Sequence, residues 1–310
     1  MSKRAAVTGG TGFVGKALIG LLLEDGWSVS ALARDPSKLK DAPSLTVIPG
    51  DLDNETALAT LAKGADVFFH LAGVTHARAR EDYHRINVAG AERAARAARA
   101  AGVRFIHTSS VSARMPEVSP YAQSKFESER AVANAAGENW LALRLPAIYG
   151  PRDSVTLPYF RLVKSGLALE PKTQSPARAS ILYVDDAAGA LVAAAQSGVA
   201  GRTLEVGDEN AEGHAWAEIG NLLGEVLGRR ARAIRVPRPV IAAYHSLLRS
   251  VEGAFGRTPS VREGQINEFF HDDWVARDNL LSDACAWRPQ TPLKEGFAKT
   301  VSWYQEHDLL

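Results

Sequence analysis

The sequence predicts an α/β fold, a doubly wound parallel sheet with a smaller C-terminal substrate domain. Three observations carry this prediction. An apolar run, Ala5–Val7, leads into a glycine-rich turn at residues 8–15 and then into a helical pattern. Unbroken apolar runs, typical of strands buried on both faces, then alternate with helical patterns to about residue 150. Residues 209–310 differ, because they hold four of the six tryptophans and short helical patterns broken by proline and glycine.

The glycine-rich turn has the strand and helix on either side that a dinucleotide-binding loop needs. Gly9 permits a sharp turn that a Cβ atom would strain, and Gly12 lets the backbone approach a pyrophosphate closely. Gly15 lets the helix pack tightly on the strand. The amides of the first helical turn then face the phosphates at the positive end of the helix dipole. The predicted pyrophosphate-binding residues are Gly9, Gly12, Phe13, Val14 and Gly15.

Arg34 and Asp35 follow the predicted second strand, Trp27–Ala33, where the chain reaches the adenosine ribose in this fold. An arginine there can pair with the 2′-phosphate of NADP, whereas an acidic residue accepts the 2′-hydroxyl of NAD. Because Arg34 stands first, the sequence favours NADP(H), and Asp35 keeps NAD(H) open. A solvated loop position for Arg34 is the alternative interpretation.

The third predicted strand, Leu45–Gly50, precedes two candidate adenine-binding residues. Asp51 can accept a hydrogen bond from the adenine amine, and Leu52 can line the adenine slot. Asp53 or Asn54 can cap the helix that follows. The two roles are compatible, because different residues can serve each.

The fourth predicted strand runs through Ala65–Gly73 and ends in Leu71, Ala72 and Gly73. These three residues are expected at the carboxyl end of the strand, where ligands bind in open α/β sheets. His70 lies inside the strand, and we expect it to be a packed, hydrogen-bonded histidine rather than a catalyst.

The helix predicted at Ala91–Ala101 carries arginines at every third position, which therefore share one face. The sequence predicts that Arg93, Arg96 and Arg99 form a solvated face.

A serine pair and a tyrosine–lysine pair are the candidate reactive groups. The predicted strand Val103–Thr108 delivers Ser109 and Ser110 at its carboxyl end, and Tyr121 and Lys125 then lie one turn apart on a predicted helix. A phenol with a pKa near about 10 is a poor acid–base group at neutral pH. The Lys125 ammonium is expected to lower that pKa and to hold a cofactor ribose, while Ser110 orients a substrate oxygen.

The sixth predicted strand, Leu141–Leu145, leads into Pro146–Pro151, which we interpret as a loop over the nicotinamide followed by exit from the sheet. The predicted division of the chain is residues 1–150 plus 180–201 for the dinucleotide-binding domain and 151–179 plus 202–310 for the substrate domain.

The charge, the cysteine content and the apolar runs of the sequence limit the kinds of partner and location to be expected. The formal net charge of +1 gives no reason to expect nucleic acid as a partner. Cys285 is the single cysteine, so a reducing, cytoplasmic location is expected, and we interpret Cys285 as packing rather than a nucleophile. No apolar run reaches membrane-spanning length. No metal is expected, and the chain is expected to be a monomer or homodimer.

Several motifs in register resemble the extended short-chain dehydrogenase/reductases, also described as NAD-dependent epimerases/dehydratases. The motifs are Thr8–Gly15, His70–Gly73, Asn87–Gly90, Thr108–Ser110, Tyr121–Lys125, Arg144–Pro151 and Tyr183–Asp186. The resemblance implies a Rossmann fold and a catalytic set of Ser110, Tyr121 and Lys125, with Asn87 as a candidate fourth member and Ser109 as the rival serine. The implied cofactor-binding set adds Arg34, Asp51, Leu52, Leu71, Ala72, Gly73, Thr108, Tyr121, Lys125, Pro146 and Ile148 to the residues of the glycine turn.

The implied function is hydride transfer between NAD(P) and a carbonyl or hydroxyl group. Tyr121 follows Ser110 by eleven positions, a shorter connection than sugar-nucleotide epimerases usually carry. Asp153–Leu162 and His271–Trp274 are similar to a bacterial subgroup that includes reductases of 3-keto sphingolipids, such as ceramide precursors. An apolar, lipid-like substrate is therefore expected. The alternatives are a nucleotide-sugar epimerase or dehydratase with retained NAD, and a non-catalytic NADP-binding subunit or sensor.

Residues 240–251 predict an amphipathic helix, with a basic segment before it. One interpretation is a helix packed in the core of the small domain. The other is that its apolar face lines the mouth of an apolar pocket while the arginines meet anionic lipid headgroups, placing the protein on the inner face of the membrane. The arginines are Arg229, Arg230, Arg232, Arg235 and Arg238.

Overall fold

The fold is built on a seven-stranded parallel sheet. The computed structural model describes residues 2–77, 79–243, 246 and 264–310. The strands are β1 (Arg4–Thr8), β2 (Ser28–Ala33), β3 (Leu45–Pro49), β4 (Val67–His70), β5 (Arg104–Ser110), β6 (Trp140–Leu145), β7 (Ala147–Tyr149), β8 (Leu167–Pro171), β9 (Arg178–Ala179), β10 (Ile181–Tyr183), β11 (Arg202–Glu205), β12 (His214–Ala215), β13 (Arg232–Val236) and β14 (Asp273–Trp274).

The order of the large sheet is β11-β6-β5-β4-β1-β2-β3, and every pairing within it is parallel. The chain winds outward from β1 in one direction to β3 and then continues from β4 in the other. This reversal confirms the predicted doubly wound sheet. It also places the switch point between the carboxyl ends of β1 and β4, where open α/β sheets bind their ligands.

Some helices pack on the two faces of the sheet, and others form a separate apolar cluster. They are α1 (Phe13–Glu24), α2 (Glu55–Ala62), α3 (Arg80–Tyr83), α4 (Gly90–Ala100), α5 (Pro120–Ala135), α6 (Leu157–Lys164), α7 (Val184–Gln196) and α8 (Trp216–Val226), followed by Gln265–Phe269, Leu281–Ala284 and Leu293–Glu306. Helices α1 and α7 pack on one face, and α2, α4 and α5 pack on the other. Their small and aliphatic side chains are buried against unbroken apolar strands, as the sequence predicts.

Strand β11 was not recognised in the sequence. It pairs with β6 and extends the large sheet by one strand, although the predicted boundary after residue 201 assigns it to the substrate part. The rest of the domain division stays a prediction. A third apolar cluster joins α6, α8 and the helix Leu293–Glu306 around the buried rings of Phe160, Phe297 and Tyr304.

The predicted helix at 240–251 is described only in part, because residues 244, 245 and 247–251 lie outside the described residues. Residues 238–243 are helical, so this helix begins before the predicted position. Val240 is 56% exposed. In the described residues, the predicted apolar face therefore begins at the surface.

Candidate active site

The glycine turn connects β1 to α1 as a tight cradle. Gly9 has a φ of +76°, and a Cβ atom there would lie 2.5 Å from the Ala72 nitrogen. A Cβ on Gly15 would lie 2.1 Å from the Gly9 oxygen, so the start of the helix packs tightly at this glycine. Gly12 caps α1 without a side-chain hydrogen bond. The first helical amides, beginning at Phe13, are left to bind a phosphate, so this cradle fits a dinucleotide pyrophosphate.

Buried side chains hold the ends of β1 and β4 together. Thr8 Oγ1 lies 2.8 Å from His70 Nδ1 and accepts a hydrogen bond from the Ala72 nitrogen at 3.4 Å. His70 is therefore a packed, hydrogen-bonded histidine, as predicted. Burial and, to a lesser extent, the charge of Lys125 lower its pKa to about 3. A neutral His70 fixes the Thr8 hydroxyl beneath the segment of Leu71, Ala72 and Gly73.

Helix α5 presents the tyrosine and the lysine one turn apart, as predicted. The Ser119 hydroxyl accepts a hydrogen bond from the Ala122 nitrogen and starts the helix at Pro120. Lys125 Nζ donates to the Thr108 carbonyl at 2.8 Å. Burial lowers the pKa of Lys125 to about 8, while the Glu129 carboxylate acts in the opposite direction. The ammonium thus stands at the carboxyl end of β5.

The Tyr121 phenol is a weaker acid than the sequence predicts. Burial raises its pKa to about 12, the hydrogen bond with Ser110 lowers it, and the nearby charges of Glu268 and Tyr83 raise it. The expectation that Lys125 lowers this pKa is wrong for the protein alone. The reason is that the Lys125 ammonium is bound to the Thr108 carbonyl, and loss of hydration dominates at the phenol.

Only one of the two candidate serines faces Tyr121. Ser110 hydrogen bonds to the phenol, and its Oγ accepts from the nitrogen and hydroxyl of Ser112 at 3.2 and 2.9 Å. Ser109 is buried and donates to Glu129 Oε1 at 2.5 Å. Successive residues of a strand point to opposite faces, so the two hydroxyls cannot both reach the phenol.

Asn87 lies in a π-helical segment, His84–Ala89, between α3 and α4. Such segments are frequent at functional sites. The Asn87 side chain accepts from the Val74 nitrogen at 2.8 Å and donates to the Val74 carbonyl and the Ser124 hydroxyl at 3.0 and 2.9 Å. A Cβ on Gly73 would lie 3.1 Å from Asn87 Oδ1. The segment after β4 is therefore clamped to α5.

Arg34 and Asp35 differ sharply in their surroundings. The Asp35 carboxylate accepts from the nitrogen and hydroxyl of Ser37 at 3.2 and 2.6 Å, and these bonds lower its pKa. Arg34 is exposed, and in the described chain no carboxylate pairs with it. The guanidinium, and not the carboxylate, is the group left available at the end of β2.

The loop after β3 is held by an arginine that the sequence places in solvent. Arg93 Nε donates to the Leu52 carbonyl at 2.6 Å, and its guanidinium pairs with Asp53. The predicted solvated face is therefore wrong for Arg93. Asp51 accepts from the Asp53 nitrogen, and Asn54 is the residue that caps α2. These contacts fix the predicted adenine side of the site.

The predicted nicotinamide side of the site comprises Thr108, near the end of β5, and residues after β6. Pro146 is buried and Ile148 is half-buried in β7. Thr108 Oγ1 is buried with no hydrogen-bond partner in the described part of the chain. An orphaned hydroxyl beside the bound lysine is an available polar group for a cofactor, so these residues fit a nicotinamide dinucleotide.

An ion network lies behind the serines. Arg144 donates from Nε and Nη2 to the two carboxylate oxygens of Glu129 at 2.9 and 2.8 Å. Ser109, Arg144 and Glu205 are neighbours across β5, β6 and β11. Glu205 is 1% exposed and accepts from the nitrogen of Arg277 at 3.0 Å, while Arg114 donates to the Val275 carbonyl. The network therefore ties the C-terminal segment to the large sheet.

Asp208, Glu209 and His214 form a further cluster that the sequence analysis did not identify. Their candidate ligand atoms lie within 4.8 Å of one another. The Asp208 oxygens accept from the nitrogens of Ile181 and Asn210, and Glu209 accepts from that of Leu293. These carboxylates anchor backbone segments.

Comparison with known proteins decides the family. Residues 5–207 match the NAD dependent epimerase/dehydratase family. The chain belongs to that family. It is 40% identical to the ceramide reductase of Caulobacter vibrioides over 304 residues, which cover 97% of this chain and 94% of that protein. It is 34% identical to a 3-beta-hydroxysteroid dehydrogenase of Mycolicibacterium neoaurum over 178 residues, 48% of this chain and 49% of that one.

Solved structures share the fold. The Bordetella bronchiseptica enzyme WbmH, in complex with NAD+, superimposes with a TM-score of 0.74 at 21% identity and covers 99% of both chains. MoeE5, in complex with UDP-glucose and NAD, has a TM-score of 0.72 at 23% identity and covers 99% of both chains. The family member described here is an NAD(P)-dependent oxidoreductase. Among its described residues, no helix combines the length and apolar character needed to cross a bilayer.

Proposed function

We propose that the protein is an NADPH-preferring reductase of a lipid-like ketone, of the 3-keto sphingolipid class. One observation carries the proposal. The set of Ser110, Tyr121 and Lys125 stands at the carboxyl end of β5, in a chain that is similar to a ceramide reductase over nearly its whole length. The short connection between Ser110 and Tyr121 supports the same substrate class over a nucleotide sugar.

The roles of the residues follow from their geometry. The bound cofactor supplies the hydride. Tyr121 donates its phenolic proton to the carbonyl oxygen, and Ser110 holds that oxygen beside it. A phenol with a pKa of about 12 stays protonated at neutral pH, which suits the reductive direction. Lys125 holds the cofactor ribose, and Asn87 positions Gly73 and α5 around it.

The test is turnover by the purified full chain. We expect NADPH oxidation with a long-chain 3-keto ceramide and much slower oxidation with short polar ketones. The matched control is a UDP-sugar without added nicotinamide. Turnover of the UDP-sugar by retained cofactor, with no lipid reduction, would replace this proposal with the epimerase alternative. Cofactor binding without activity on either substrate would support a sensor.

We further propose that the basic segment before residue 240 meets an anionic membrane surface. Arg229 and Arg230 are exposed, and so is the side chain of Val240. Apolar and cationic groups together favour binding to anionic headgroups. We expect cosedimentation with vesicles containing anionic lipid, weakened by salt, and loss of binding in Arg229→Glu/Arg230→Glu. Arg99→Glu/Arg130→Glu is the control, and equal losses in both variants would contradict the proposal.

A further inference from the structure

The short helix Gln265–Phe269 covers the beginning of the catalytic helix α5. Asn267 Nδ2 donates to the Val118 carbonyl at 3.0 Å. Gly264, which starts the short helix with a φ of +92°, comes so close that a Cβ there would lie 2.4 Å from the Ser119 Cβ. A segment 149 positions away in the chain thus packs directly beside the candidate reactive residues.

Glu268 is the acidic side chain of this short helix, and it is turned towards the site. The Ser119 hydroxyl donates to Glu268 Oε1, and Ser119 stands two positions before Tyr121. Trp274 Nε1 donates to the Glu268 carbonyl at 2.9 Å and fixes the backbone. The carboxylate is close enough to contribute to the raised pKa of Tyr121. Its position is therefore held from both sides.

The second carboxylate oxygen of Glu268 is free to bind a ligand. In the described ranges, no hydrogen bond or ion pair reaches Oε2, and no buried atom of this residue is orphaned. Burial raises the pKa of the carboxyl group, with the Ser119 hydrogen bond acting against it. Since Oε2 has no donor among the described residues and is not an orphaned buried atom, it is open to water or to a ligand.

Aromatic side chains follow Glu268 directly in the chain. The rings of Trp216 and Phe269 lie 5.3 Å apart, and those of Phe269 and Phe270 lie 5.1 Å apart. The short helix therefore combines one acidic acceptor with a cluster of aromatic rings, a combination typical of sites that bind an apolar ligand in a fixed orientation.

We propose that Glu268 selects the substrate, its Oε2 accepting a hydrogen bond from an N–H group on the carbon next to the reacting carbonyl. The inference rests on the proposed ketone reduction. The N–H group of an α-amino or α-acylamino ketone replaces the hydrogen bond that Oε2 accepts from water. A simple ketone displaces that water and offers no donor in its place.

The experiment compares three ketones of equal chain length, carrying an α-acylamino group, an α-ammonium group or only a methylene. We expect the wild-type kcat/KM to be about 10- to 100-fold higher for the ketones with N–H, as for one hydrogen bond to a charged group. A higher kcat/KM for the α-acylamino ketone indicates that Glu268 binds an amide N–H, and a higher value for the α-ammonium ketone indicates that it binds a cation. Glu268→Leu should lose this factor on the N–H ketones and keep the methylene ketone within a few-fold.

Glu117→Gln, at an exposed acid on the neighbouring turn Pro116–Val118, is the matched control and should keep the preference. Should Glu268→Leu fail to fold, Glu268→Gln keeps the shape but removes the charge, and it should show a smaller selective loss on the N–H ketones because the amide oxygen still accepts a hydrogen bond. Equal losses on all three ketones would make Glu268 structural. A wild-type enzyme that reduces all three equally would overturn the inference alone, whereas reduction of none would overturn the proposed function.

Discussion

Lys125 is a charged side chain held almost entirely out of water, with 7% of its surface exposed. Its Nζ keeps one hydrogen bond, to the Thr108 carbonyl, and its pKa falls to about 8. The unfolded chain holds its lysine protons to a pKa near 10.4. Between these two values the unfolded state binds more protons than the folded state, so this residue makes stability rise with pH.

Replacing Lys125 with Met should reveal that dependence. The free energy of unfolding of the wild type, relative to Lys125→Met, should increase between pH 8 and pH 10, because only the wild type is relieved of a buried charge. Denaturant unfolding at pH 7 and pH 10 measures it. Lys294→Met, at an exposed lysine, is the control. A difference that is constant with pH would show that Lys125 is not perturbed.

Removing the Tyr121 hydroxyl should abolish most turnover. Tyr121→Phe should keep the fold and cofactor affinity and lower kcat by about 10²- to 10⁴-fold, the contribution of a positioned general acid. Tyr83→Phe is the control, since its ring lies 6.4 Å from that of Tyr121 and its hydroxyl donates to a backbone carbonyl. A Tyr121→Phe enzyme with near-normal kcat would contradict the proposed mechanism.

Removing the Arg34 guanidinium should affect the two cofactors unequally. Arg34→Ala should raise KM for NADPH by about 10- to 100-fold, the loss of a hydrogen bond to a charged group, and leave KM for NADH nearly unchanged. Lys38→Ala, on the same exposed loop, controls for general charge. Steady-state kinetics with both cofactors measure the two KM values. Equal increases of KM for NADPH and NADH would assign Arg34 a structural role.

At the scale of elements, the predictable features are those written in local sequence. The glycine turn, the strands β1–β6 and the one-turn spacing on α5 follow from backbone sterics and period, and the structure confirms them. The missed features depend on neighbours distant in the chain. The regular spacing of Arg93 with Arg96 and Arg99 predicts a solvent-facing side chain. Its hydrogen-bond acceptor, the Leu52 carbonyl, is 41 positions away in the chain. The choice between Ser109 and Ser110 depends on which face α5 covers, which no local pattern specifies.

Two glycines of α1 should respond oppositely to a methyl group. Gly15→Ala should disrupt the turn, because its Cβ would meet the Gly9 oxygen, and should abolish cofactor binding. Gly20→Ala meets nothing within 4 Å and should raise the free energy of unfolding by about 0.5–1 kcal/mol. Thermal unfolding and cofactor titration of both variants measure this. Unimpaired cofactor binding by Gly15→Ala would contradict the cradle.

At the scale of the molecule, the Glu205 network joins the two halves of the chain. Its members come from α5, β6, β11 and the turn after β5, and the backbone of Arg277 completes it. In a sequence, charged residues within a strand predict positions at the protein surface. Here they are buried because opposite charges meet across neighbouring strands. The sequence therefore predicts neither strand β11 nor the ion network, and for the same reason.

Neutralising Glu205 should therefore weaken the whole fold. Glu205→Gln should lower the free energy of unfolding by about 3 kcal/mol, because buried guanidinium groups lose a counter-charge. Glu225→Gln breaks an exposed pair with Lys294 and should cost less than about 1 kcal/mol. Urea denaturation compares the two. Equal effects would show that the buried network contributes no more than a surface pair.

The packing of Gln265–Phe269 on the start of α5 has a consequence for synthesis. A ribosome adding roughly 5 to 20 residues per second needs roughly 7 to 30 s to travel the 149 positions from Val118 to Asn267. From residue 135 onwards, strands β1–β5 and the catalytic helix are already present in the nascent chain. Glu268, one of the groups that raise the pKa of Tyr121, is added only later. The growing protein therefore completes its nucleotide cradle and its tyrosine–lysine pair early, and it gains the proposed substrate-selecting carboxylate only within the last third of the chain.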